Sequence, residues 1–325
     1  MKKRIWILLV FAFLLALTAC GGGNGGDTTT IPSTSSTQPT QSVPGINSWC
    51  DTTVTLDETI ILSGDISGVR VVATGMEYGI YGPQINLTVE NSTDRDIKLK
   101  LNNGEIDDTA VVNGVMIPYV SVQTVEQKEG MLHPVTVGYD VPAGEKANAI
   151  LFFTDQEMLK KHVTKFESIG FDLQVQDLDT KDVLTEVNVM LRTSAFTENA
   201  PVHAAQGTTV YEQDGLKVVD IGVKDCYYHY CIVNHTDKYL WVEIYDVILN
   251  GQPIGWGSYY NDFYVYENAC CYEDIACNDW EGLEDVTSDD DVQSLKYKVR
   301  IWRVSASGAE NMLLWESDTI TAALT

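Results

Sequence analysis

Aromatic side chains are concentrated in one stretch of the sequence, and they are the residues best suited to contact a ligand. Ten of the sixteen tyrosines lie between Tyr227 and Trp280. Tyrosine and tryptophan are common at binding surfaces because each offers a large apolar area together with a polar group. Stacking on sugar rings and docking of a partner protein both use this chemistry. The candidate ligand-binding residues are Tyr239, Trp241, Tyr245, Trp256 and Tyr260.

The residues around Trp241 predict the strand that would position this cluster. Leu240, Val242 and Ile244 occupy alternate positions, so they are expected to share the core-facing side of a strand. Trp241 and Tyr245 would then face outward, alongside Tyr239. The alternative is that this face is covered, either by the loop from 255 to 266 or by another part of the chain.

An acidic run between 281 and 291 is the second candidate for chemistry. Its carboxylates are Glu281, Glu284, Asp285, Asp289, Asp290 and Asp291. Such oxygens bind calcium, but the spacing and central glycine of a calcium-binding EF-hand loop are absent. A solvated helix end and loop is therefore expected, and a metal-dependent hydrolase built on this run is the less favoured alternative.

Catalytic motifs are otherwise absent from the sequence. The five histidines, which form no metal-binding or acid–base pair by spacing, are His133, His162, His203, His229 and His235. There is no P-loop, no dinucleotide fingerprint and no Gly-x-Ser-x-Gly elbow. We therefore expect a protein that is not an enzyme, with no catalytic residue, metal or cofactor.

The N-terminus predicts an exported, lipid-anchored protein. A basic start, Lys2 to Arg4, precedes an apolar run that is too short to span a membrane, and residues 1–19 end in Leu-Thr-Ala before Cys20. This order resembles the lipobox of bacterial lipoproteins, which implies lipidation of Cys20. Residues 20–50, rich in Gly, Ser, Thr and Pro, are expected to form a disordered tether. The predicted location is the extracellular face of the cell membrane.

The net charge of −25 excludes nucleic acid as a partner, because binding to phosphates needs a basic surface. Six cysteines remain after Cys20, and an even number in an exported chain indicates up to three disulfides whose pairing stays open. They are Cys50, Cys226, Cys231, Cys270, Cys271 and Cys277. Cys226 and Cys231 would face opposite sides of one strand, and Cys50 is a candidate for a bridge to the second half. A zinc site is disfavoured by the absence of a CxxC pair.

An internal repeat organises the rest of the chain. The sequence Asn-Ser-Thr-Asp-Arg at 91–95 returns as Asn-His-Thr-Asp-Lys at 234–238, and each copy lies between alternating apolar runs. Each is followed by a Val-Asn-Gly or Leu-Asn-Gly hairpin signal, at Asn113 and at Asn250. Capping residues predict a short helix after Thr154, and another near Asn278. The pattern predicts an all-β chain with two tandem immunoglobulin-like β-sandwich domains, 51–199 and 200–325, each with one short helix.

The order of these features resembles the immunoglobulin-like domains of uncharacterised lipoproteins from Gram-positive bacteria. The likeness rests on the repeated Asn turn, the Asn-Gly hairpin and the Val-Pro-Ala-Gly-Glu-Lys turn from Val141 to Lys146. The second half departs from it, with Glu-Asn-Ala-Cys-Cys at 267–271. The resemblance implies an accessory domain at the cell surface and brings no catalytic residues. The expected function is non-catalytic binding of a cell-wall glycan or surface protein by the second domain, with a purely structural spacer as the alternative.

Overall fold

The computed structural model describes residues 48–65, 67–79, 82–101, 109–124, 138–198, 206–254, 259–278, 283, 285–304 and 311–324, without the side chains of 259–261. The predicted signal peptide, the predicted lipidation site Cys20 and most of the predicted tether lie outside these ranges. So do Trp256 and the side chain of Tyr260, together with part of the acidic run. No helix of the described residues has the length and apolarity needed to cross a membrane.

The first half is a sandwich of two antiparallel sheets. Its elements are β1 Thr59–Ser63, β2 Val69–Gly79, β3 Gly82–Asn91, β4 Ile97–Leu101, β5 Ala110–Val112, β6 Val115–Ile117, β7 Ser121–Thr124, β8 Tyr139–Val141, β9 Lys146–Phe152, α1 Asp155–Lys160, β10 Ser168–Asp177 and β11 Val183–Arg192. One sheet has the order β1-β2-β3-β9-β7, and the other contains β6-β5-β10-β4-β8 with β11 paired to β10. Alternate residues such as Ile85, Leu87 and Val89 of β3 fill the core between them.

The second half repeats this arrangement. Its elements are β12 Thr208–Gln213, β13 Leu216–Lys224, β14 Tyr227–Asn234, β15 Leu240–Leu249, β16 Gln252–Pro253, β17 Tyr259–Val265, β18 Ala269–Ala276, a 3₁₀-helix Asp289–Asp291, β19 Leu295–Arg303, β20 Met312–Glu316 and β21 Ile320–Thr321. Strands β12-β13-β14-β18 form one layer, and the sheet of β15, β16, β17, β19, β20 and β21 forms the other. The all-β sandwich prediction is confirmed.

The two halves are joined by hydrogen bonds, which the sequence did not predict. Strand β18 pairs in parallel with β6 at Cys270 and Val115, so the layer β12-β13-β14-β18 continues into a sheet of the first half. The backbone N–H of Cys270 also donates to the carbonyl of Gly114 at 2.7 Å. Val219, Cys231 and Tyr272 of the second half pack into the first half's core. The described residues from Ser48 onward therefore form one compact unit.

The Asn-Gly hairpins are equivalent in the two halves. Asn113 and Asn250 both have positive φ, and each is followed by a glycine with positive φ, as a type I′ turn requires. The side-chain oxygen of Asn113 accepts from the N–H groups of Glu167 and Ser168, and that of Asn250 accepts from Gln293 and Ser294. Each asparagine thus holds its hairpin against the start of β10 or β19.

The two predicted helices differ in outcome. Helix α1 begins after Thr154, whose hydroxyl accepts from the N–H of Glu157 at 3.4 Å. The helix predicted near Asn278 falls largely on residues outside the described ranges. The second half instead shows the 3₁₀-helix of Asp289–Asp291. At residues 267–271, where the two halves differ in sequence, the chain still turns: Asn268 has positive φ, and Cys270 and Cys271 lie within β18.

Candidate binding surface and the cleft between the halves

Three aromatic residues form a continuous row across the outer face of the second half. Trp241 of β15 lies directly opposite Tyr264 of β17 on one side and Trp302 of β19 on the other. Directly opposed residues in antiparallel strands share a face of the sheet. The indoles of Trp241 and Trp302 stack with centroids 5.8 Å apart. All three side chains are partly exposed, and we call them the aromatic row.

A row of charged residues lies beside the aromatic row, two positions further along the strands. Its members are Asp262, Glu243, Arg300 and Glu316, each directly opposite the next. The two rows are linked, because Trp241 Nε1 donates to Asp262 at 3.2 Å and Trp302 Nε1 donates to Glu243 at 2.7 Å. These bonds hold both indoles in fixed positions.

Tyr239 is partly exposed, at the end of this face, as the alternation predicted. Its ring stacks between Tyr264 and Tyr266, with both centroids 5.2 Å away. The stack extends the aromatic row toward the turn at Asn234. Trp302 was not among the residues predicted to bind. The sequence could have indicated its outward position, because Val299 and Ile301 alternate with Arg300 and Trp302 in the same manner as the residues of β15.

Tyr245 is not an exposed binding residue, which corrects the prediction from alternation. It lies on the outer face, yet only 5 % of its surface is exposed. Arg300 covers its ring at 4.0 Å, and its hydroxyl donates to Glu316 at 2.5 Å. Burial, followed by the bond to Glu316, raises the pKa of Tyr245 to about 12. The alternation was correct, but long neighbouring side chains cover the ring.

Two described carboxylates of the acidic run accept hydrogen bonds that hold turns of the chain. The carboxylate of Asp291 accepts from the N–H groups and hydroxyls of Thr287 and Ser288. Asp289 accepts from the N–H of Cys226 at 2.7 Å. Across the described ranges, no three His, Cys, Asp or Glu side chains are placed to hold a metal ion.

A cleft of about 660 Å³ opens between α1 of the first half and strands β13, β14 and β18 of the second. On its wall, His229 Nδ1 lies 2.5 Å from Asp274 Oδ1, and His229 Nε2 lies 3.3 Å from the carbonyl of Lys224. Both ring nitrogens thus face acceptors, an arrangement that only the protonated ring satisfies. The hydrogen bond to Asp274 outweighs burial and raises the pKa of His229.

Lys161 closes the floor of this cleft and ties the halves together. It is only 9 % exposed, its ammonium donates to the carbonyl of Tyr272, and it lies 3.8 Å from the carboxylate of Glu273. Burial alone would lower the pKa of Lys161, but the surrounding negative groups, Glu273 first, raise it. The described residues that line the cleft include Tyr227, Tyr230 and Tyr272 but no serine, threonine or cysteine.

All six cysteines after Cys20 are buried, and none is joined in a disulfide in the structure. Cys231 faces the first half's core, whereas Cys271 and Cys277 face the second half's own core. Cys226 lies in the turn before β14 and not within the strand, so the prediction that Cys226 and Cys231 face different sides stays a prediction. Cys50 lies in the core of the first half.

Comparisons with known proteins do not identify a relative. No family model and no curated protein matches the sequence. Among solved structures, a protein of unknown function from Porphyromonas gingivalis W83 covers 74 % of this chain and 90 % of its own, at 13 % identity and a TM-score of 0.18. The CsuC–CsuE chaperone–tip adhesion subunit complex of Acinetobacter baumannii covers 72 % of this chain and 90 % of its own, at 12 % identity and a TM-score of 0.18. Likeness at this level supports no inference about fold or function.

Proposed function

We propose that this chain is a non-catalytic binding protein of the bacterial envelope, which contacts a carbohydrate through the aromatic row. The observation that carries the proposal is the alignment of Tyr264, Trp241 and Trp302 on three adjacent strands, partly exposed and fixed by their own hydrogen bonds. Residues that are already ordered lose little conformational entropy when a ligand binds. A surface of this kind is therefore suited to recognition.

The dimensions and neighbours of the row favour a sugar chain. Adjacent strands are about 4.8 Å apart, so three strands give a row about 10 Å long. That length accommodates an extended ligand. The carboxylates of Asp262 and Glu243 and the guanidinium of Arg300 lie alongside the row. They supply acceptors and donors for hydroxyl groups, while the ring surfaces supply apolar contact.

A protein ligand is the second candidate, and an exposed aliphatic residue next to the row favours it. Leu313 of β20 lies opposite Trp302 and is 42 % exposed. Together with the row it makes an apolar strip across four strands. Apolar strips with aromatic anchors are typical of protein contacts. A structural spacer, the third class, would use none of these residues.

The proposed location is the outer face of the cell membrane, with a lipid on Cys20 as the anchor. The support is the sequence order of basic residues, apolar run, small residues and cysteine at positions 1–20. Substitution of Cys20 by Ala, followed by metabolic labelling with a radioactive fatty acid, tests this. Label in the wild type and none in the variant is expected, whereas equal label would contradict lipidation.

A glycan array tests the binding proposal. Full-length protein in detergent is compared with the double variant W241A/W302A and with the control Y119S, which removes an exposed aromatic ring of the first half. We expect wild type and Y119S to bind the same glycans and the double variant to lose them, with unchanged circular dichroism. Binding that persists in the folded double variant would overturn the proposal. Binding to cell-surface protein extracts alone would assign the row to a protein ligand.

A further inference from the structure

One tight turn of the second half carries a cysteine where the other turns of its kind carry glycine. Three two-residue turns have positive φ at both positions and end in glycine, at Asn113–Gly114, Asp214–Gly215 and Asn250–Gly251. The turn between β13 and β14 also has positive φ at both positions, with Asp225 at 54° and Cys226 at 63°. Glycine is the usual residue at the second position because it has no Cβ to approach the carbonyl oxygen.

A cysteine at such a position is conformationally unfavourable, so its side chain needs a compensating interaction. The residue opposite provides a partner. Strands β14 and β18 are paired from Tyr227 and Ala276 onward, and the next pair beyond this ladder is Cys226 and Cys277. The N–H of Cys277 donates to the carbonyl of Cys226 at 2.9 Å. The pairing of the strands therefore continues through the two cysteines.

The backbone spacing of this pair suits a disulfide. Directly opposed residues of antiparallel strands have Cα atoms about 4.5–5.5 Å apart, and disulfides span Cα separations of about 4.4–6.8 Å. Both cysteines are buried, with 7 % and 0 % of their surface exposed. The two cysteines thus lie buried at the ends of paired strands, within the backbone spacing that a disulfide bridges.

The other cysteines of β14 and β18 differ from this pair in their backbone spacing. Cys231 and Cys270 are in contact, and the hydrogen bond between their thiols, with burial next, raises the pKa of Cys231. They are diagonal across the ladder, since Cys231 faces Tyr272 and Cys270 faces Val233. Diagonal Cα atoms are about 7–8 Å apart, beyond the usual span of a disulfide. Cys271 faces the opposite side of the sheet from both.

We propose that Cys226 and Cys277 form a disulfide that joins the ends of β14 and β18. The two thiols lose two protons and two electrons, one S–S bond forms, and the oxidant is a disulfide, either of an exported oxidoreductase or of oxidised glutathione, which is reduced to two thiols. The oxidant in the cell, though not the pairing, depends on the proposed export of the chain.

The timing of the bond follows from the burial of the thiols. Burial raises the pKa of Cys277 to about 11, so little thiolate is present in the folded protein at neutral pH. The thiolate is the form that attacks a disulfide. Oxidation therefore takes place while the chain is still folding, and the completed bond resists reduction until the protein unfolds.

Peptide mapping under non-reducing conditions tests the pairing. Chymotrypsin cleaves after tyrosine, so Tyr227, Tyr228 and Tyr230 separate Cys226 from Cys231, and Tyr272 separates Cys271 from Cys277. Full-length protein is extracted from membranes in detergent and alkylated in denaturant before digestion. We expect one linked peptide pair holding Cys226 and Cys277, and alkyl groups on Cys50, Cys231, Cys270 and Cys271. Alkylation of Cys226 or Cys277, or linkage of either to another cysteine, would contradict the assignment, unless the refolding arm below shows that only the oxidant was missing.

A refolding experiment tests the Cys226–Cys277 disulfide independently of the proposed export of the chain. The same protein is reduced, unfolded and refolded with oxidised glutathione, and is then mapped again. The Cys226–Cys277 link after refolding but not after extraction would support the pairing and contradict export, whereas its absence from both samples would overturn the pairing itself.

The variant C226G supplies an independent readout, because it restores the glycine of the other three turns. We expect the oxidised wild type to unfold at a higher urea concentration than C226G treated in the same way. After reduction the order of the two midpoints reverses. Neither protein then has the disulfide, and only the wild type holds a cysteine in the unfavourable backbone conformation. Equal midpoints for the oxidised proteins would contradict the proposed bond.

Discussion

Asn91 and Asn234, 143 positions apart, make equivalent sets of hydrogen bonds. The Asn91 amide donates to the carbonyls of Arg95 and Pro142, each at 2.9 Å. The Asn234 amide donates to Lys238 at 2.8 Å and Tyr266 at 2.9 Å. Each side-chain oxygen accepts from the threonine two residues later, Thr93 or Thr236. Both asparagines therefore close a turn and fasten it to the end of a distant strand, β8 or β17.

Replacement of either asparagine by alanine is expected to destabilise the protein by about 2–4 kcal/mol. Asn91 and Asn234 are 1 % and 0 % exposed, so their loss leaves buried carbonyls without donors, at about 1–3 kcal/mol for each unsatisfied group. Urea unfolding of N91A and N234A measures the effect. The control H235A changes an exposed residue of the same turn and should shift stability by less than about 0.5 kcal/mol. A small effect of N234A would contradict the clamping role.

The repeated turn could be identified from the sequence because its bonds are mostly local. The alternation of Leu240, Val242 and Ile244 was equally readable, since period-two burial leaves a direct pattern. The pairing of β18 with β6 could not be predicted, because a parallel contact between Cys270 and Val115 leaves no local signal. The burial of Tyr245 was missed for a related reason, since Arg300 and Glu316 reach it from other strands.

Substitution of Lys161 by Met tests whether the halves stabilise each other. The variant removes the ammonium that donates to the carbonyl of Tyr272 and lies beside the carboxylate of Glu273. Because Glu273 is partly exposed, water solvates its carboxylate in the variant, and this limits the loss of stability. We expect a loss of about 1–3 kcal/mol in a single unfolding transition. The control K160M removes a lysine whose side chain is 51 % exposed, and should have little effect. Two separated transitions, with only one shifted, would argue for independent halves.

The pair His229 and Asp274 predicts a pH dependence of stability. The pKa of His229 is raised, so its contribution is complete below the unfolded pKa and is lost as the pH rises through the folded pKa. For Asp274, burial alone would raise the pKa, but His229, Lys161 and Lys160 outweigh it and lower the value. Its contribution is therefore lost as the pH falls through that lowered pKa.

We accordingly expect the wild type to exceed H229Q in stability most at mildly acidic pH, with the difference shrinking toward pH 8. Lys224 and Glu273 also face the pair. Thermal unfolding of both proteins at intervals between pH 4 and 8 measures the difference. A difference that does not vary with pH would show that His229 acts only through packing.

Reduction is expected to loosen the second half more than the first. A disulfide that encloses a loop of about 50 residues contributes about 4 kcal/mol in the chain-entropy description. Cys226 and Cys277 both lie in the second half, at the ends of β14 and β18. Hydrogen exchange before and after reduction should show faster exchange in residues 208–321 than in residues 59–192. An equal loss of protection in both halves would contradict this expectation.

The central claim is tested most directly by sedimentation with purified cell walls. Wild type, W241A/W302A and Y119S are mixed with walls stripped of protein, and the bound fraction is measured against wall concentration. Loss of two aromatic anchors, each contributing more than about 1 kcal/mol, predicts at least a thirtyfold weaker association for W241A/W302A, with Y119S unchanged. Equal association of all three folded proteins would contradict recognition by the aromatic row.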